Sequence, residues 1–157
     1  MRVGVGFDAH PFAEGRPLKL GGISIAYPRG LAGHSDGDAL IHAIADALLG
    51  AAGRGTLGEH FPDGSDAWRG ADSAVLLARA AGIVGEAGFR VGNLDAVVIA
   101  EAPKIAPHAS AIRARLAEIL GLQPGRVSVR GTSANGLGFS GRGEGIAVVA
   151  VALLEEL

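Results

Sequence analysis

Cysteine is absent from the 157 residues of this chain, and charged residues are scarce. Without cysteine the chain forms neither a disulfide framework nor a thiolate metal site, so any metal must be held by histidine and carboxylate. Charged residues make up 19% and hydrophobic residues 48% of the composition, and the formal net charge is −2. This balance gives no electrostatic reason to expect nucleic acid as a partner. So apolar a composition in a small domain indicates buried contacts between subunits.

Long apolar runs are missing as well. No run reaches the roughly 18 to 20 residues of a membrane span. Arg2 opens a strand-like pattern without the basic and apolar segment of a secretion signal. We therefore expect a cytoplasmic protein with no membrane partner. The length suits one domain with a hydrophobic core, so we predict a single domain over residues 1–157.

Glycine is abundant, at 26 residues, and it separates short segments instead of forming a repeat. Between these breaks, hydrophobic periodicity predicts the secondary structure. The pattern predicts strands at residues 2–7, 94–100, 127–131 and 146–153, a hairpin of residues 18–20 and 23–25, and helices at residues 36–52, 72–87 and 108–120. Pro11 is expected to end the first strand, because proline has no N–H for a central ladder. This order favours an α+β fold, a two-layer sandwich of a mixed sheet and helices.

Residues 33–50 place two histidines and three aspartates in an otherwise apolar helical pattern. Ser35 or Asp36 is the expected cap of this helix. Three polar residues then follow at intervals of four and share one face: Asp38, His42 and Asp46. His34 lies just outside the helix start, where free backbone amides bind anions such as phosphate.

Asp8, His10 and His42 have the composition of a zinc site with three nitrogen and oxygen ligands. Such a site keeps a fourth position for water or substrate, which is typical of catalytic zinc. The alternative is structural: Asp8 accepts turn amides, the backbone satisfies His10, and His42 is hydrogen-bonded where the helix meets the sheet. Asp46 is a candidate to orient His42, or else a core hydrogen-bonding residue.

Four glycine- or proline-rich segments are candidate substrate loops. Residues 53–70 form a loop too long to be idle in a small domain. Residues 100–108 join a strand end to a helix start, where ligands of α/β layers lie, or form only a rigid proline turn. Residues 131–136 offer hydroxyls and an amide to phosphate oxygens. In residues 139–145, glycines separate an aromatic ring, a cation and an anion. The alternative for residues 131–136 and 139–145 is that each segment is only a hairpin turn.

Ordered motifs along the chain resemble one enzyme family. They are Gly-x-Gly-Phe-Asp-x-His at the start, His-Ser-Asp-Gly-Asp with a following His and Asp-Ala-Leu-Leu-Gly, then Phe-Pro-Asp, Ala-Pro-Lys with Pro-His, and Gly-Phe-Ser-Gly-Arg-Gly-Glu-Gly. Together, from residue 2 to residue 154, they are similar to the 2-C-methyl-D-erythritol 2,4-cyclodiphosphate synthases. The resemblance implies a homotrimer of α+β subunits, each a single catalytic domain, with active sites between neighbours.

The resemblance also implies a reaction and its cofactors. The family forms the cyclic diphosphate and CMP from 4-diphosphocytidyl-2-C-methyl-D-erythritol 2-phosphate, in the non-mevalonate route to isoprenoids. It implies Zn²⁺ or another divalent transition metal at Asp8, His10 and His42, and Mg²⁺ or Mn²⁺ with the substrate diphosphate. An isoprenoid diphosphate is an implied ligand of the trimer axis, near Phe139, Arg142 and Glu144.

By the same resemblance, His34 and Ser133 stabilise the transition state, Ser133 standing where a threonine is common. The implied substrate contacts are Asp8, His10, Ser35, Thr56, Leu57, Gly58, Phe61, Asp63, Ala100, Pro103, Lys104, Ile105, Ala106, Thr132, Asn135, Phe139 and Arg142. Residues 100–106 match the family's cytidine pocket.

Three positions depart from the family pattern. Thr56 replaces an aspartate that grips the methylerythritol hydroxyls, so the charge and a bidentate reach are lost. Asn135 replaces a carboxylate near the second divalent ion, and Gly136 replaces a frequent lysine. Because an amide oxygen ligates without charge, we expect weaker binding of Mg²⁺.

The sequence offers no serine or cysteine nucleophile motif. The implied reaction needs none, because the nucleophile is the 2-phosphate of the substrate. A phosphate monoester with a second pKa of roughly 6 is largely dianionic at neutral pH. Two other functions remain open from the residues: a non-catalytic trimeric protein that binds isoprenoid diphosphates, and a zinc-dependent phosphohydrolase.

Overall fold

The computed structural model describes all residues from 1 to 157. A five-stranded mixed sheet forms its centre, in the order β4-β1-β7-β5-β6. Its strands are β1 (Arg2–Ala13), β4 (Gly30–Leu31), β5 (Phe89–Ile99), β6 (Val127–Thr132) and β7 (Gly145–Glu156). Only β5 and β6 run parallel; the other neighbours are antiparallel. A separate hairpin pairs β2 (Leu18–Leu20) with β3 (Ile23–Ile25), as predicted.

Helices cover one face of this sheet. They are α1 (Ala39–Ala52), α2 (Leu57–His60), α3 (Ser73–Glu86), α4 (Ala109–Leu120) and α5 (Gly138–Gly141). The helix α1 packs on β1 and β7, α3 on β5, and α4 on β6. The predicted α+β two-layer arrangement is therefore confirmed. None of the helices has the length and apolar character that crossing a membrane requires.

Two glycines allow α1 to lie directly on β1. A Cβ added at Gly6 would collide with the carbonyl oxygen of Ala43, and one at Gly4 would collide with that of Ala47. Because neither glycine has a side chain, the backbones of helix and strand approach closely. This contact brings the end of β1 beside the first turns of α1, which is where the candidate metal ligands lie.

The opposite face of the sheet is open and partly apolar. Val3, Val5 and Phe7 alternate along β1 and are 67%, 68% and 59% exposed. In the ladder, Val5 lies opposite Val151 of β7, which is also exposed. A single chain thus leaves a continuous apolar surface uncovered, which is unusual for a protein that works as a monomer.

The structure corrects three predicted boundaries. The strand β5 begins at Phe89 instead of residue 94. The strand β1 does not end at Pro11 but continues to Ala13. Pro11 is tolerated because it pairs with Gly145, the first residue of β7, at the end of the ladder. Its carbonyl oxygen accepts a hydrogen bond from Ala32. The helix α1 begins at Ala39 and its cap is Asp38, not Ser35 or Asp36.

Candidate active site

Three metal-ligating side chains come together where the second half of β1 lies beside the start of α1. Asp8 and His10 point from β1, and His42 points from the first turn of α1. Their ligand atoms all lie within 4.8 Å of one another. His42 Nδ1 is 3.3 Å from Asp8 Oδ2 and 3.4 Å from His10 Nε2. These separations match the spacing of about 3.3 Å between ligands of tetrahedral zinc with bonds of about 2.0–2.1 Å.

Each histidine is held so that one ring nitrogen faces the group. His10 Nδ1 donates to the carbonyl oxygen of Ala32 at 2.6 Å, because a carbonyl only accepts. His10 Nε2 is thereby left to face Asp8 Oδ2, at 2.6 Å. Hydrogen bonds to the second nitrogen are the usual way in which a protein fixes the tautomer of a metal-binding histidine.

His42 is oriented by a chain of hydrogen bonds that begins at Asp36. The Ser73 hydroxyl donates to the Asp36 carboxylate, and Ser73 Oγ lies 3.0 Å from His42 Nε2. Since the Ser73 proton is committed to Asp36, Ser73 accepts from His42 Nε2–H, which leaves Nδ1 with a free electron pair. The Ser35 hydroxyl also lies 3.0 Å from His42 Nε2. This donor set suits a divalent metal in its chemistry, but His10 Nε2 and Asp8 Oδ2 are hydrogen-bonded at 2.6 Å and must move apart toward the tetrahedral spacing when a metal binds.

Burial and pairing act in opposite directions on the pKa values of the two β1 ligands. Burial raises the pKa of Asp8, but hydrogen bonds and charge attraction from His10 and His42 outweigh it and lower that pKa to about 2. Burial lowers the pKa of His10, but its hydrogen bond and attraction to Asp8 outweigh burial, so the pKa is raised. Asp8 is therefore an anion at neutral pH, as a metal ligand must be.

The carboxylate of Asp38, at the start of α1, has a structural role. Asp38 is fully buried, and its oxygens accept hydrogen bonds from the amides of Ile41, Gly21 and Gly22. It caps α1 and ties it to the β2–β3 turn. Burial raises the pKa of Asp38, opposed by these amides. Of the three residues predicted to share a helix face, only His42 belongs to the metal group.

Asp46 does not orient His42 in this structure. Its Oδ1 accepts the backbone N–H of Leu57 at 2.6 Å, which fixes the start of α2. Burial raises the pKa of Asp46, partly offset by this hydrogen bond. The residue therefore anchors the loop of residues 53–70 to α1, and its interpretation as a partner of His42 gives way to this contact.

A cavity of about 220 Å³ lies over the metal group. Residues from the predicted set that line it are Asp8, His10, His34, Ser35, His42, Leu57, Gly58, Phe61 and Asp63. Trp68, which lies in the predicted substrate loop of residues 53–70, and Leu76, which was not identified from the sequence, also line it. His34 Nε2 is 3.1 Å from the carbonyl oxygen of Ser65, which links the ring to the loop. The loop itself contains α2 and a 3₁₀ turn at Asp66–Trp68.

Ser35 and Thr56 have structural contacts that their predicted substrate roles did not include. Ser35 is only 7% exposed, and its hydroxyl points to His42 instead of into open space. Thr56 caps α2: its hydroxyl accepts the Glu59 amide, and the Glu59 carboxylate accepts the Thr56 amide. Thr56 lies outside the lining of the metal cavity.

A second cavity, of about 210 Å³, gathers the segment predicted to bind cytidine. It is lined by Ala100, Pro103, Lys104, Ile105, Ala106, Gly131, Thr132 and Ser133. Ser133 donates to Asn135 Oδ1 at 3.3 Å, and Asn135 has a positive φ of 54°. Glu101, which we did not single out as a site residue, accepts the amides of Ala134 and Gly136 and so shapes this turn. The metal cavity and this cavity share no lining residue.

A third cavity, of about 270 Å³, lies where β1 meets α5. Phe139 and Glu144 line it together with residues 9–11 of β1 and Gly145. Arg142 is outside the lining and is held by two hydrogen bonds to the Glu144 carboxylate, both of 3.2 Å. An aromatic ring and a paired cation are therefore adjacent, as the spacing of residues 139–145 suggested.

Sequence reasoning missed the site roles of Ser73 and Glu101, because each residue contacts a partner that is distant along the chain. Ser73 lies 31 positions from the histidine that it orients. Glu101 contacts the 134–136 turn across 33 positions or more. No local pattern signals a hydrogen bond between such distant residues.

Comparison with known proteins agrees with this geometry. The model of the YgbB family matches residues 1–155. A 2-C-methyl-D-erythritol 2,4-cyclodiphosphate synthase of Pseudomonas syringae pv. syringae is 54% identical over 154 residues, covering 98% of each chain. The bifunctional IspDF of Campylobacter jejuni superposes with a TM-score of 0.96 at 42% identity, over 99% of this chain and 42% of that one.

A solved structure of 2C-methyl-D-erythritol-2,4-cyclodiphosphate synthase in a CDP-bound form gives a TM-score of 0.90 at 38% identity. The match covers 98% of this chain and 100% of that one. Similarity at this level extends over the metal group, the three cavities and the whole sheet. This chain therefore belongs to the YgbB family, to which the 2-C-methyl-D-erythritol 2,4-cyclodiphosphate synthases belong.

Proposed function

We propose that this chain is a metal-dependent 2-C-methyl-D-erythritol 2,4-cyclodiphosphate synthase, a phosphorus–oxygen lyase. Its substrate is 4-diphosphocytidyl-2-C-methyl-D-erythritol 2-phosphate, and its products are the cyclic diphosphate and CMP. The observation that carries the proposal is the group of Asp8, His10 and His42, which lies in one cavity with His34. Relatives of nearly the same length bear the name of this synthase.

The reaction is an intramolecular displacement at phosphorus. An oxygen of the 2-phosphate forms a bond to the β-phosphorus, and the bond from that phosphorus to the oxygen bridging to the α-phosphorus breaks, which releases CMP. The nucleophile is already anionic, so the protein supplies no base. Its contribution is to fold a flexible substrate into line and to stabilise the charge that develops.

The residues of the metal cavity have different roles in this reaction. Asp8, His10 and His42 would hold a divalent transition metal such as zinc, which would supply Lewis-acid polarisation of the β-phosphate. His34 lies in the same cavity and contacts the phosphates as charge moves to the leaving group. Leu57, Gly58, Phe61 and Asp63 form the wall that holds the methylerythritol unit.

The cytidine end of the substrate occupies the second cavity. Residues 100–106 enclose the base and ribose, and Thr132 and Ser133 reach toward the α-phosphate. Support comes from the solved relative in its CDP-bound form. Because the two cavities share no lining residue, we propose that the metal cavity of one subunit meets the cytidine cavity of its neighbour.

That meeting requires an oligomer, and we propose a homotrimer. The exposed apolar residues of β1 and β7, Val3, Val5, Phe7 and Val151, offer the surface on which subunits associate. Three identical chains around one axis form a closed ring with three equivalent interfaces. The cavity at Phe139 and Glu144, with Arg142 beside it, is then a candidate axial site for an isoprenoid diphosphate.

Asn135 is proposed to help hold a second divalent ion, Mg²⁺ or Mn²⁺, which would neutralise charge on the substrate diphosphate. The amide oxygen of Asn135 is neutral, and the next residue, Gly136, has no side chain. We expect Asn135→Glu to lower the Mg²⁺ concentration for half-maximal activity, because a carboxylate binds this hard cation more strongly. Equal half-saturation in both proteins would contradict the expectation.

Phosphorus NMR of the reaction tests the proposed function. Purified protein with saturating zinc and magnesium is mixed with the substrate, and the expected products are the cyclic diphosphate and CMP. Inorganic phosphate instead would indicate the zinc phosphohydrolase, and unchanged substrate would indicate the non-catalytic binder. Either result would overturn the synthase.

A further inference from the structure

Arg16 reaches from the loop after β1 to the segment that carries His34. Its Nη1 donates to the carbonyl oxygen of Gly33 at 2.9 Å, and its Nη2 donates to that of Ser35 at 2.7 Å. The side chain is half-buried. One guanidinium thus holds the two carbonyl oxygens on either side of His34.

The segment held in this way touches the metal group at both ends. The Gly33 backbone packs against the His10 ring so closely that a Cβ there would lie 3.3 Å from His10 Cε1. The Ser35 hydroxyl lies 3.0 Å from His42 Nε2. Between these two contacts, His34 lines the metal cavity. The position of His34 relative to the metal ligands therefore depends on the path of residues 33–35.

The remaining contacts of His34 go to the substrate loop. Its carbonyl oxygen accepts the Gly70 amide at 2.9 Å, and its ring contacts the Ser65 carbonyl oxygen. Arg16 belongs to neither that loop nor the metal group. A guanidinium offers a planar fork of donors, which fixes two acceptors at once in a way that a lysine ammonium does not.

We propose that Arg16 is a positioning residue for the cyclisation: it holds the Gly33 and Ser35 carbonyls so that His34 faces the reacting phosphates. This inference rests on the proposed function, in which His34 stabilises the developing charge. Arg16 itself touches neither substrate nor metal. Its effect is exerted through His34, and this makes the proposal separable from a general role in stability.

The first experiment measures the steady-state kinetics of Arg16→Gln with full metal loading. A misplacement of about 1 Å at the reacting groups costs on the order of 10²-fold in rate, so we expect kcat to fall about 10- to 100-fold. KM and bound zinc should stay unchanged, because the interaction lost acts in the transition state. Wild-type kcat, or a loss of activity explained by lost zinc, would overturn the proposal.

A double-variant cycle with His34→Gln shows whether Arg16 acts through His34. If it does, Arg16→Gln slows the His34→Gln enzyme by less than about twofold, since coupled residues are not additive. Full multiplication of the two losses would overturn the proposal. Arg16→Lys keeps the charge but not the forked pair of donors, and we expect it to have an intermediate kcat. It replaces Arg16→Gln in the test if that variant does not fold. A wild-type kcat in Arg16→Lys would contradict the requirement for two donors.

Arg126→Gln is the matched control. Arg126 also donates to a backbone carbonyl oxygen, that of Gly92 at 2.9 Å, but it lines none of the three cavities described. We expect it to keep wild-type kcat. An equal loss of kcat in Arg126→Gln would reduce Arg16 to a stabilising residue. Wild-type protein that forms no cyclic product would instead refute the proposed function.

Discussion

The metal cavity and the cytidine cavity are built in different ways. In the metal cavity each histidine has a partner on its second ring nitrogen, and these partners are themselves held by further hydrogen bonds. In the cytidine cavity, the walls come from a proline-rich turn and from the exposed end of β6. The three candidate metal ligands all come from one chain, whereas the second cavity is a surface that this chain encloses on one side only. The difference is consistent with the proposed arrangement, in which each subunit organises the chemistry and the assembly completes substrate binding.

Disrupting the assembly should have the largest effect. Val5→Asp places a carboxylate in the middle of the open apolar face, where it would be buried unpaired between subunits. We expect a folded monomer by analytical ultracentrifugation and cyclisation at background. Val75→Asp is the control, because Val75 is 48% exposed on α3, away from this face. A trimeric and active Val5→Asp would contradict the proposed interface.

Removing a metal ligand should come next. Asp8→Asn replaces the only anionic member of the group, and we expect its zinc affinity to fall by more than about 100-fold, the upper range for losing an outer contact. Asp46→Asn is the control: its carboxylate holds the Leu57 amide, so zinc should remain bound. Metal analysis after dialysis measures both. Equal zinc loss in Asp46→Asn would return that residue to the metal site.

Breaking the chain from Asp36 to His42 should have a smaller effect. Ser73→Ala removes the acceptor of His42 Nε2–H, and we expect zinc affinity to fall about 10-fold, since Ser35 remains in contact. Ser140→Ala is a matched control, because that buried hydroxyl donates to the Ile99 carbonyl oxygen away from the metal group. Competition with a chelator measures the affinities. Identical values for both variants would show that the chain does not orient His42.

The smallest effect concerns the pH dependence of the metal-free protein. The pKa of His10 is raised in the fold, so charged His10 contributes stability below its ordinary pKa of 6.5 and loses it as pH rises through the raised pKa. Bound zinc reverses the trend, because it requires neutral His10. Calorimetry with EDTA and with zinc, at about pH 6 and about pH 8, measures this. A His10→Gln protein with the same slope in EDTA would exclude His10 as the cause.

Hydrophobic patterning predicted most of the fold. Alternating residues in β1, apolar runs in β5 and β7, and the capping aspartate before α3 each carry a local signal. The errors lie where a neighbouring strand decides the outcome. Pro11 remains in β1 because β7 begins opposite it, and that depends on residues more than 130 positions away.

The sequence alone pointed to the candidate metal ligands, because an Asp-x-His pair and a helical histidine have the composition of a zinc site and the family resemblance implies the same three residues. It also determined the segments that line the cytidine cavity. Only the tertiary structure assigned the second roles: Asp38 to the β2–β3 turn, Asp46 to the loop of residues 53–70, Ser73 to His42 and Arg16 to the His34 segment. These contacts join residues from different elements. Their geometry follows from how helices and strands pack, and periodicity along one element carries no record of it.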